Sequence, residues 1–364
     1  MSASVPELKR VLQLPAVVFI AIGFMIGGGV FVFTGIVYKI VGPALPIAYG
    51  LAVIPVFVSM MPLAMLGSAI PTTGASYRYP SRMVSPGLAF VGVWVYAWAS
   101  FFGQVPLYAL GCAGYLRTLV PSLAPTPLAI GLVTFFYIVN LLGVKLAARI
   151  QGILVLILIL AMIYYAYCGT AVIDTANFDR IMQKGPSNIL LGTGLLTFTY
   201  LGANGIVEIG DEIVNPSRAI PRAFFIALPI VMMLYLSVAI ATVGAVPVHV
   251  LQDAAEPLIR VAQDTTGKAG FVFFTLGGAV LALVTTLNAL FIIGTKSLVM
   301  IARDNLIPEK MGHLNLRFGT PHVFLTLLWL LSVLGIASGF SLTTLASYAA
   351  LSGMIIFYLS WWQR

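Results

Sequence analysis

Long apolar runs dominate this chain, separated by short polar stretches. Ten such segments fall at roughly 12–36, 42–70, 87–117, 126–144, 147–169, 188–213, 218–245, 268–303, 321–339 and 341–361. A helix of about 20 apolar residues spans the hydrocarbon core of a bilayer, so the pattern predicts an all-α, polytopic membrane protein with about ten transmembrane helices. The first run, 12–36, is too long for a signal peptide, lacks a small-residue cleavage site and is followed by many further spans. No connection is long enough to hold a water-soluble domain.

Composition agrees. Of 364 residues, 60% are hydrophobic and only 8% charged, too few to cover a water-facing surface. The net charge of +8 invites a nucleic-acid reading, but topology explains it better. With a cytoplasmic N-terminus, thirteen basic residues lie inside: Lys9, Arg10, Arg78, Arg82, Lys145, Arg149, Arg218, Arg222, Lys296, Arg303, Lys310, Arg317 and Arg364. The outside has six: Lys39, Arg117, Arg180, Lys184, Arg260 and Lys268. This bias places both termini in the cytoplasm and predicts a multi-pass protein of the plasma membrane. Cys112 and Cys168 are read as two small buried hydrophobes rather than a disulfide. His249, His313 and His322 are not spaced as metal ligands, and the glycines of the first segment lack the lysine of a phosphate-binding loop. No metal, cofactor or nucleic-acid partner is expected.

One stretch conflicts with a simple helix. "GFMIGGGVFVFTG", Gly23–Gly35, places five glycines inside the first apolar segment. Each costs about 1 kcal/mol relative to alanine in a helix interior. Gly23 and Gly27, four apart, suit close helix packing. Three successive glycines face three directions, so Gly27–Gly29 predicts a break. Broken membrane helices are tolerated where the freed backbone lines a cavity or is buried in protein. Freed N–H groups then attract an anion and freed carbonyls a cation, which together suit a zwitterion. The sixth segment repeats the feature with "GANG" at 202–205. Two breaks five helices apart predict inverted repeats, 1–185 and 186–364, each of five helices.

The residues at these breaks carry a family resemblance. "IGGGVF" (26–31) is similar to the first-helix motif of the amino acid–polyamine–organocation (APC) superfamily. "YLGANGIVEIGDEIVNPSRAIPRA" resembles its sixth-helix signature. "SAIPTTGASYRYPSR" (68–82), "NLLGVKLAARIQ" (140–151) and "MIARDNLIPEKMGHLNLRFGTP" (300–321) resemble three further elements, and all five occur in family order. The resemblance implies a LeuT-like 5+5 inverted-repeat core with helices 1 and 6 broken. Three departures stand out: many members have about twelve spans, Asn204 stands where an acid is frequent, and Leu158 stands where some proton-coupled members carry a lysine.

The resemblance also implies a substrate site between the breaks. The N–H groups of Gly27, Gly28 and Gly29 would hold a carboxylate. Carbonyls at Met25 and Ile26, with Phe198, Thr199, Gly202 and Asn204 of the sixth segment, would complete the site. Phe198 would lie over the substrate, although a phenylalanine in a membrane helix more often simply packs. Thr285 and Thr286 match hydroxyls that hold sodium in sodium-dependent relatives, although such hydroxyls commonly bond back to their own helix. Glu208 is the one acid placed at membrane depth and is read as a proton-coupling candidate or a member of a polar network. Asp211 and Glu212 are assigned to a cytoplasmic network with Arg78, Arg82, Arg218 or Arg222.

These features predict a secondary transporter of amino acids working by alternating access, either proton-coupled or exchanging, with H+ favoured over Na+ as the coupling ion. A polyamine or amine antiporter, or an amino-acid sensor without transport, are the alternatives. An embedded enzyme would need a catalytic constellation at membrane depth, and none is present in the sequence. A channel would need a continuous polar stripe, whereas the polar groups cluster at the two breaks.

Overall fold

Proline and glycine punctuate the apolar runs, and the helices begin and end where they fall. The computed structural model describes residues 10–348 apart from 180, 255, 256, 316, 343 and 346. The first predicted segment is two helices, α1 (Leu14–Met25) and α2 (Gly28–Val41). Gly42, at φ 60°, stops α2, and Pro43 turns the chain into α3 (Leu45–Ala69). A short helix, α4 (Ala75–Met83), precedes α5 (Pro86–Trp98) and α6 (Val105–Leu119), which a π-helical stretch, Ala99–Gln104, joins into one rod. Then come α7 (Pro125–Leu141), α8 (Val144–Thr170), α9 (Pro186–Tyr200) and α10 (Pro216–Ala245). Two short helices, α11 (Val248–Asp253) and α12 (Pro257–Thr265), lead to α13 (Gly267–Phe274) and, through a second π-helical stretch, to α14 (Leu281–Gly294). α15 (Lys296–Arg303) and α16 (His322–Ala337) complete the described helices.

Among the described residues, seven helical stretches are long and apolar enough to cross a membrane, and Pro125–Leu141 and His322–Ala337 are shorter apolar helices. The predicted segment 341–361 lies mostly outside the described residues, as do Lys9, Arg180 and Arg364 of the charge count. Cys112 is a buried free thiol and Cys168 a half-buried one, so only the first is the fully buried hydrophobe the sequence suggested.

Burial sorts the helices. In the stretch Gly267–Arg303, 89% of the most apolar window is buried, against 28% for Phe33–Ala69. α14 is therefore the centre of the bundle, where a helix apolar all round belongs, and α3 lies at its lipid-facing edge. Glycines set the closest approaches: a Cβ on Gly169 would lie 2.7 Å from Ala241 of α10, and one on Gly192 would lie 2.4 Å from Val41 of α2. One polar chain crosses the core. Asn140 donates to Asn288 (3.0 Å), Asn288 to Gln151 (2.8 Å) and Gln151 to the Thr285 carbonyl (3.1 Å), tying α7, α8 and α14. Each amide has a partner, as burial in a low dielectric demands.

The end of the bundle near Arg10 is closed by a second network. The Val11 and Leu12 N–H groups both donate to the Glu212 carbonyl at 2.9 Å, and Val214 N–H donates to the Leu12 carbonyl at 2.8 Å. The Glu212 carboxylate pairs with Lys296 of α15 at 2.7 Å, with both side chains almost fully buried. The Asp211 carboxylate accepts the Thr73 N–H at 2.9 Å. The predicted arginine partners of these two acids are thus replaced by a lysine and a backbone amide, because the chain folds α15 and the loop before α4 onto the sixth segment. Arg78 instead donates to Thr72 at 3.1 Å, and Arg82 pairs with Asp304 at 2.9 Å. Burial and that same Asp304 carboxylate push the Tyr77 phenol up to about 12, so it stays protonated and donates to Asp304 at 2.9 Å.

A buried pair broken on one side leaves an uncompensated charge. Lys296→Met should therefore lower stability by about 3–5 kcal/mol, and the double variant Glu212→Leu/Lys296→Met should recover most of it. Thermal melting of the purified variants in detergent checks both, and equal melting of the single and double variants would contradict the pairing.

Candidate functional site

The first break is sharp and short. α1 ends at Met25, and Ile26 leaves helical geometry at ψ 71°. Gly27 is extended, at φ −97° and ψ −171°, and α2 starts at Gly28. Only the first of the three glycines lies in the break; Gly28 and Gly29 open the second half-helix. None of the three has positive φ, so the run is explained by crowding instead. A Cβ on Gly27 would lie 2.5 Å from the Thr286 hydroxyl of α14, and one on Gly28 would lie 2.2 Å from the Leu283 side chain. Gly23, one turn earlier, makes room for Gln151 of α8 in the same way, at 2.2 Å.

Breaking the helix frees backbone groups. Ile26 N–H still reaches the Ile22 carbonyl at 2.7 Å, Gly27 N–H folds onto the Met25 carbonyl at 2.8 Å, and Val30 N–H reaches the Gly27 carbonyl at 3.3 Å. Among the described residues, the N–H groups of Gly28 and Gly29 and the carbonyl of Ile26 have no partner. These are the orphan groups that helix ends carry, and Ile26 and Gly28 are buried.

The second break is wider. α9 ends at Tyr200, and Gly202 takes φ 134°, a region that residues with a Cβ rarely adopt. Its Cα lies against span one: a Cβ would be 2.5 Å from the Phe24 carbonyl oxygen. The chain continues not as an α-helix but as 3-10 turns, Ala203–Glu208 and Gly210–Glu212. Asn204 and Glu208, expected on one face of a half-helix, are consequently separated in role. Asn204 Oδ1 accepts the Gly202 N–H at 3.0 Å and caps the break, while its Nδ2 has no protein partner among the described residues. Glu208, buried, accepts the Ser76 N–H through Oε1 at 2.6 Å and the Ser297 hydroxyl through Oε2 at 2.7 Å.

Tyr235 of α10 joins the breaks. Its hydroxyl lies 3.0 Å from the Met25 carbonyl and 3.2 Å from the Thr199 carbonyl, so one proton is shared between the ends of α1 and α9. The ring packs against Tyr200 at 4.9 Å and Tyr49 at 5.3 Å between centroids. The Tyr200 hydroxyl donates to the Tyr49 carbonyl at 3.1 Å, and the Tyr49 hydroxyl lies 2.6 Å from Thr34 of α2. This tyrosine trio is not legible in the sequence. Its members belong to three different segments, and no local motif marks them.

The remaining candidates have definite places. Phe198 is half-buried and packs on Phe33 at 5.4 Å, and its carbonyl accepts the Leu201 N–H at 3.2 Å. The Thr199 hydroxyl bonds back to Leu196 at 2.7 Å, and Thr199 Cγ2 faces Gly29. Thr285 bonds back to Ala282 at 3.1 Å; Thr286 bonds to Ala282 at 3.0 Å and reaches the Gly23 carbonyl at 3.4 Å. The structure thus gathers Met25–Gly29, Phe198–Asn204 and Thr286 around the facing breaks and sets Glu208 beyond them, against α4 and α15. Met25 and Thr199 carbonyls are already engaged by Tyr235. Two unpaired N–H donors, one amide donor and one unpaired carbonyl remain, which can hold a carboxylate and, opposite it, an ammonium group.

Comparison with known proteins points the same way. The profile of the amino acid permease family matches residues 12–361. The chain is 23% identical over 339 residues to the branched-chain amino acid permease BcaP of Bacillus subtilis, a match covering 87% of this chain and 72% of that protein. It is 26% identical over 364 residues to the methylthioribose transporter of Bacillus subtilis, covering 93% and 77%. With the mitochondrial cationic amino acid transporter 3 of Arabidopsis thaliana it shares 27% over 346 residues, covering 86% of this chain and 55% of that protein. Among solved structures the fold matches Mhp1, a nucleobase-cation-symport-1 family transporter in a closed conformation with bromovinylhydantoin bound. The TM-score is 0.60 at 14% identity, over 98% of this chain and 80% of that chain.

Three substitutions test the geometry. Gly202→Ala should lower stability by about 1–3 kcal/mol through strain, whereas Gly194→Ala in α9, with open space around it, should be neutral or slightly stabilising. Tyr235→Phe leaves the Thr199 carbonyl without its donor and the Met25 carbonyl with the Gly27 N–H alone, and should cost about 1–3 kcal/mol. Melting temperatures in one detergent provide the measurement, and a Tyr235→Phe protein as stable as the parent would remove the bridge from the account.

Proposed function

The chain belongs to the amino acid permease family, and from that premise we propose that it is a secondary transporter carrying an amino acid across the membrane by alternating access. The observation that carries this reading is the pair of facing helix breaks, with the Gly28 and Gly29 N–H groups and the Ile26 carbonyl left unpaired between them. The substrate brings its own carboxylate to the glycine amides and to Asn204 Nδ2. Its ammonium group takes the Ile26 carbonyl. Phe198 and Tyr108, whose ring lies 3.3 Å from a Cβ built on Gly28, bound the space. The two halves, 1–185 and 186–364, are read as inverted five-helix repeats that supply one break each.

Substrate class follows from what the site lacks. An amine without a carboxylate needs an acid beside it, and Asn204 supplies a neutral donor instead. The named relatives include carriers of branched-chain and of cationic amino acids, which share the carboxylate and ammonium groups and differ in the side chain, so side-chain selectivity is assigned to residues outside the backbone site.

Coupling is assigned to protons through Glu208. Both its oxygens accept hydrogen bonds, one from the first turn of α4 and one from Ser297 of α15. A neutral carboxyl accepts the Ser76 N–H more weakly than a carboxylate does, and its new O–H requires the Ser297 hydroxyl to turn from donor to acceptor. Loading a proton therefore loosens the contact between the sixth segment and α4, the movement that opening this end requires. Thr286 remains the sodium alternative, because its hydroxyl faces the Gly23 carbonyl beside the break.

Uptake into proteoliposomes with a panel of labelled amino acids, under imposed proton and sodium gradients, tests the function. An amino acid should bind about tenfold or more tightly than the matching decarboxylated amine, because charge-assisted bonds to the carboxylate are lost. Equal affinities would instead identify an amine carrier, and binding without uptake a sensor. Glu208→Gln should still bind and exchange substrate but lose accumulation driven by a pH gradient. Full accumulation would remove Glu208 from coupling, and a strict sodium requirement would transfer the role to Thr286.

A further inference from the structure

An apolar groove runs between α3 and α10 on the outside of the bundle. Phe57, Met60 and Ala64 line one wall and Phe225, Leu228 and Met232 the other. Phe57 and Phe225 are 40% and 57% exposed, with ring centroids 6.0 Å apart, so the groove opens toward lipid rather than toward the site. Near its Arg10 end lies a second recess of opposite character, lined by Arg10, Pro71, Asn215, Pro216, Ser217 and Arg218.

Helix geometry aligns the two. Arg218 precedes Phe225 by seven residues, two turns on one face of α10 and about 10 Å along its axis. Ser68 follows Ala64 by four residues on α3, and its hydroxyl donates to the Ser217 carbonyl at 2.7 Å, joining the helix ends where groove and recess meet. Among the described residues, the recess is lined by two arginines and no acidic residue. Neither Arg10 nor Arg218 forms an ion pair or side-chain hydrogen bond among the described residues, unlike Arg78, Arg82 and Arg260.

We propose that this corner binds one anionic phospholipid, with an acyl chain in the α3–α10 groove and the phosphate in the Arg10–Arg218 recess. The spacing suits the occupant. A headgroup phosphate lies several ångströms beyond the hydrocarbon edge, as the recess lies beyond the groove. The charge selects its class: basic pockets beside transmembrane helices favour anionic headgroups, while the trimethylammonium of a choline headgroup meets no carboxylate among the described residues that line the recess. The bound lipid fastens the N-terminal segment to α10, since Arg10 directly precedes the residues that bond to Glu212 and Val214.

Native mass spectrometry of the purified full chain tests the site, using phosphatidylglycerol and phosphatidylcholine with identical acyl chains, and glycerol phosphate as the chain-free probe. Phosphatidylglycerol should be retained about tenfold or more over phosphatidylcholine. Arg10→Ala/Arg218→Ala should bring that ratio close to one, Arg10→Lys/Arg218→Lys should keep most of it, and Arg149→Ala should leave it unchanged. Ala64→Phe, which fills the groove, should reduce retention of both lipids. Equal retention of the two lipids by the parent protein, or an unchanged ratio in a folded double-alanine variant, would overturn the proposal. Glycerol phosphate bound as tightly as phosphatidylglycerol would also overturn it, by showing an anion recess that takes no lipid.

Discussion

Backbone that leaves helical geometry inside a bilayer has no water to satisfy it, and the centre of this bundle is organised by that constraint. Two chain segments give up their helices at the same depth, and the hydroxyl of Tyr235 bridges the two ends it reaches, at Met25 and Thr199. Gly202 brings the second break close enough to the Phe24 carbonyl for this to happen, because no Cβ intervenes. What the bridge does not satisfy remains available: Gly28 and Gly29 N–H, the Ile26 carbonyl and Asn204 Nδ2. The binding site proposed for a small polar ligand is what this incomplete structural repair leaves over.

The same logic extends to the Arg10 end. The sixth segment continues past Gly202 as 3-10 turns, and its acids are distributed over three neighbours. Glu208 holds α4 and α15, Asp211 holds Thr73, and Glu212 holds Lys296 while its carbonyl receives the N-terminal segment. The second break is thus mechanically continuous with the closure of that end. Movement of the sixth segment must break buried polar contacts, which is costly unless a charge changes or a ligand compensates. A transporter that alternates access needs such an element, with two discrete arrangements rather than a gradual one.

The lipid-facing side has a different economy. α3 exposes large apolar residues such as Ile54 and Met65 because they meet acyl chains, not water. Only where basic side chains sit at the foot of such a surface does a general lipid contact become selective. α14, by contrast, is buried on all sides, and its polar residues Thr286 and Asn288 serve contacts with α1, α7 and α8.

The sequence alone determined the membrane class, the positions of the nine helical segments that fall within the described residues, both breaks and the family signature. These depend on composition, on runs of apolar residues and on glycine, whose physical consequences are local. It also marked the residues that gather at the breaks, since the motifs there are contiguous. The partners were decided only by tertiary structure. That Glu212 meets Lys296 rather than an arginine, that Glu208 caps α4, and that Asn204 folds back on Gly202 depend on how distant segments approach. The second half of span six looked helical because its residues allow a helix; packing against Phe24 and the loop before α4 tightened it into 3-10 turns. The Tyr49–Tyr200–Tyr235 trio was invisible for the same reason, because three ordinary tyrosines gain a role only when three helices converge on two broken ones.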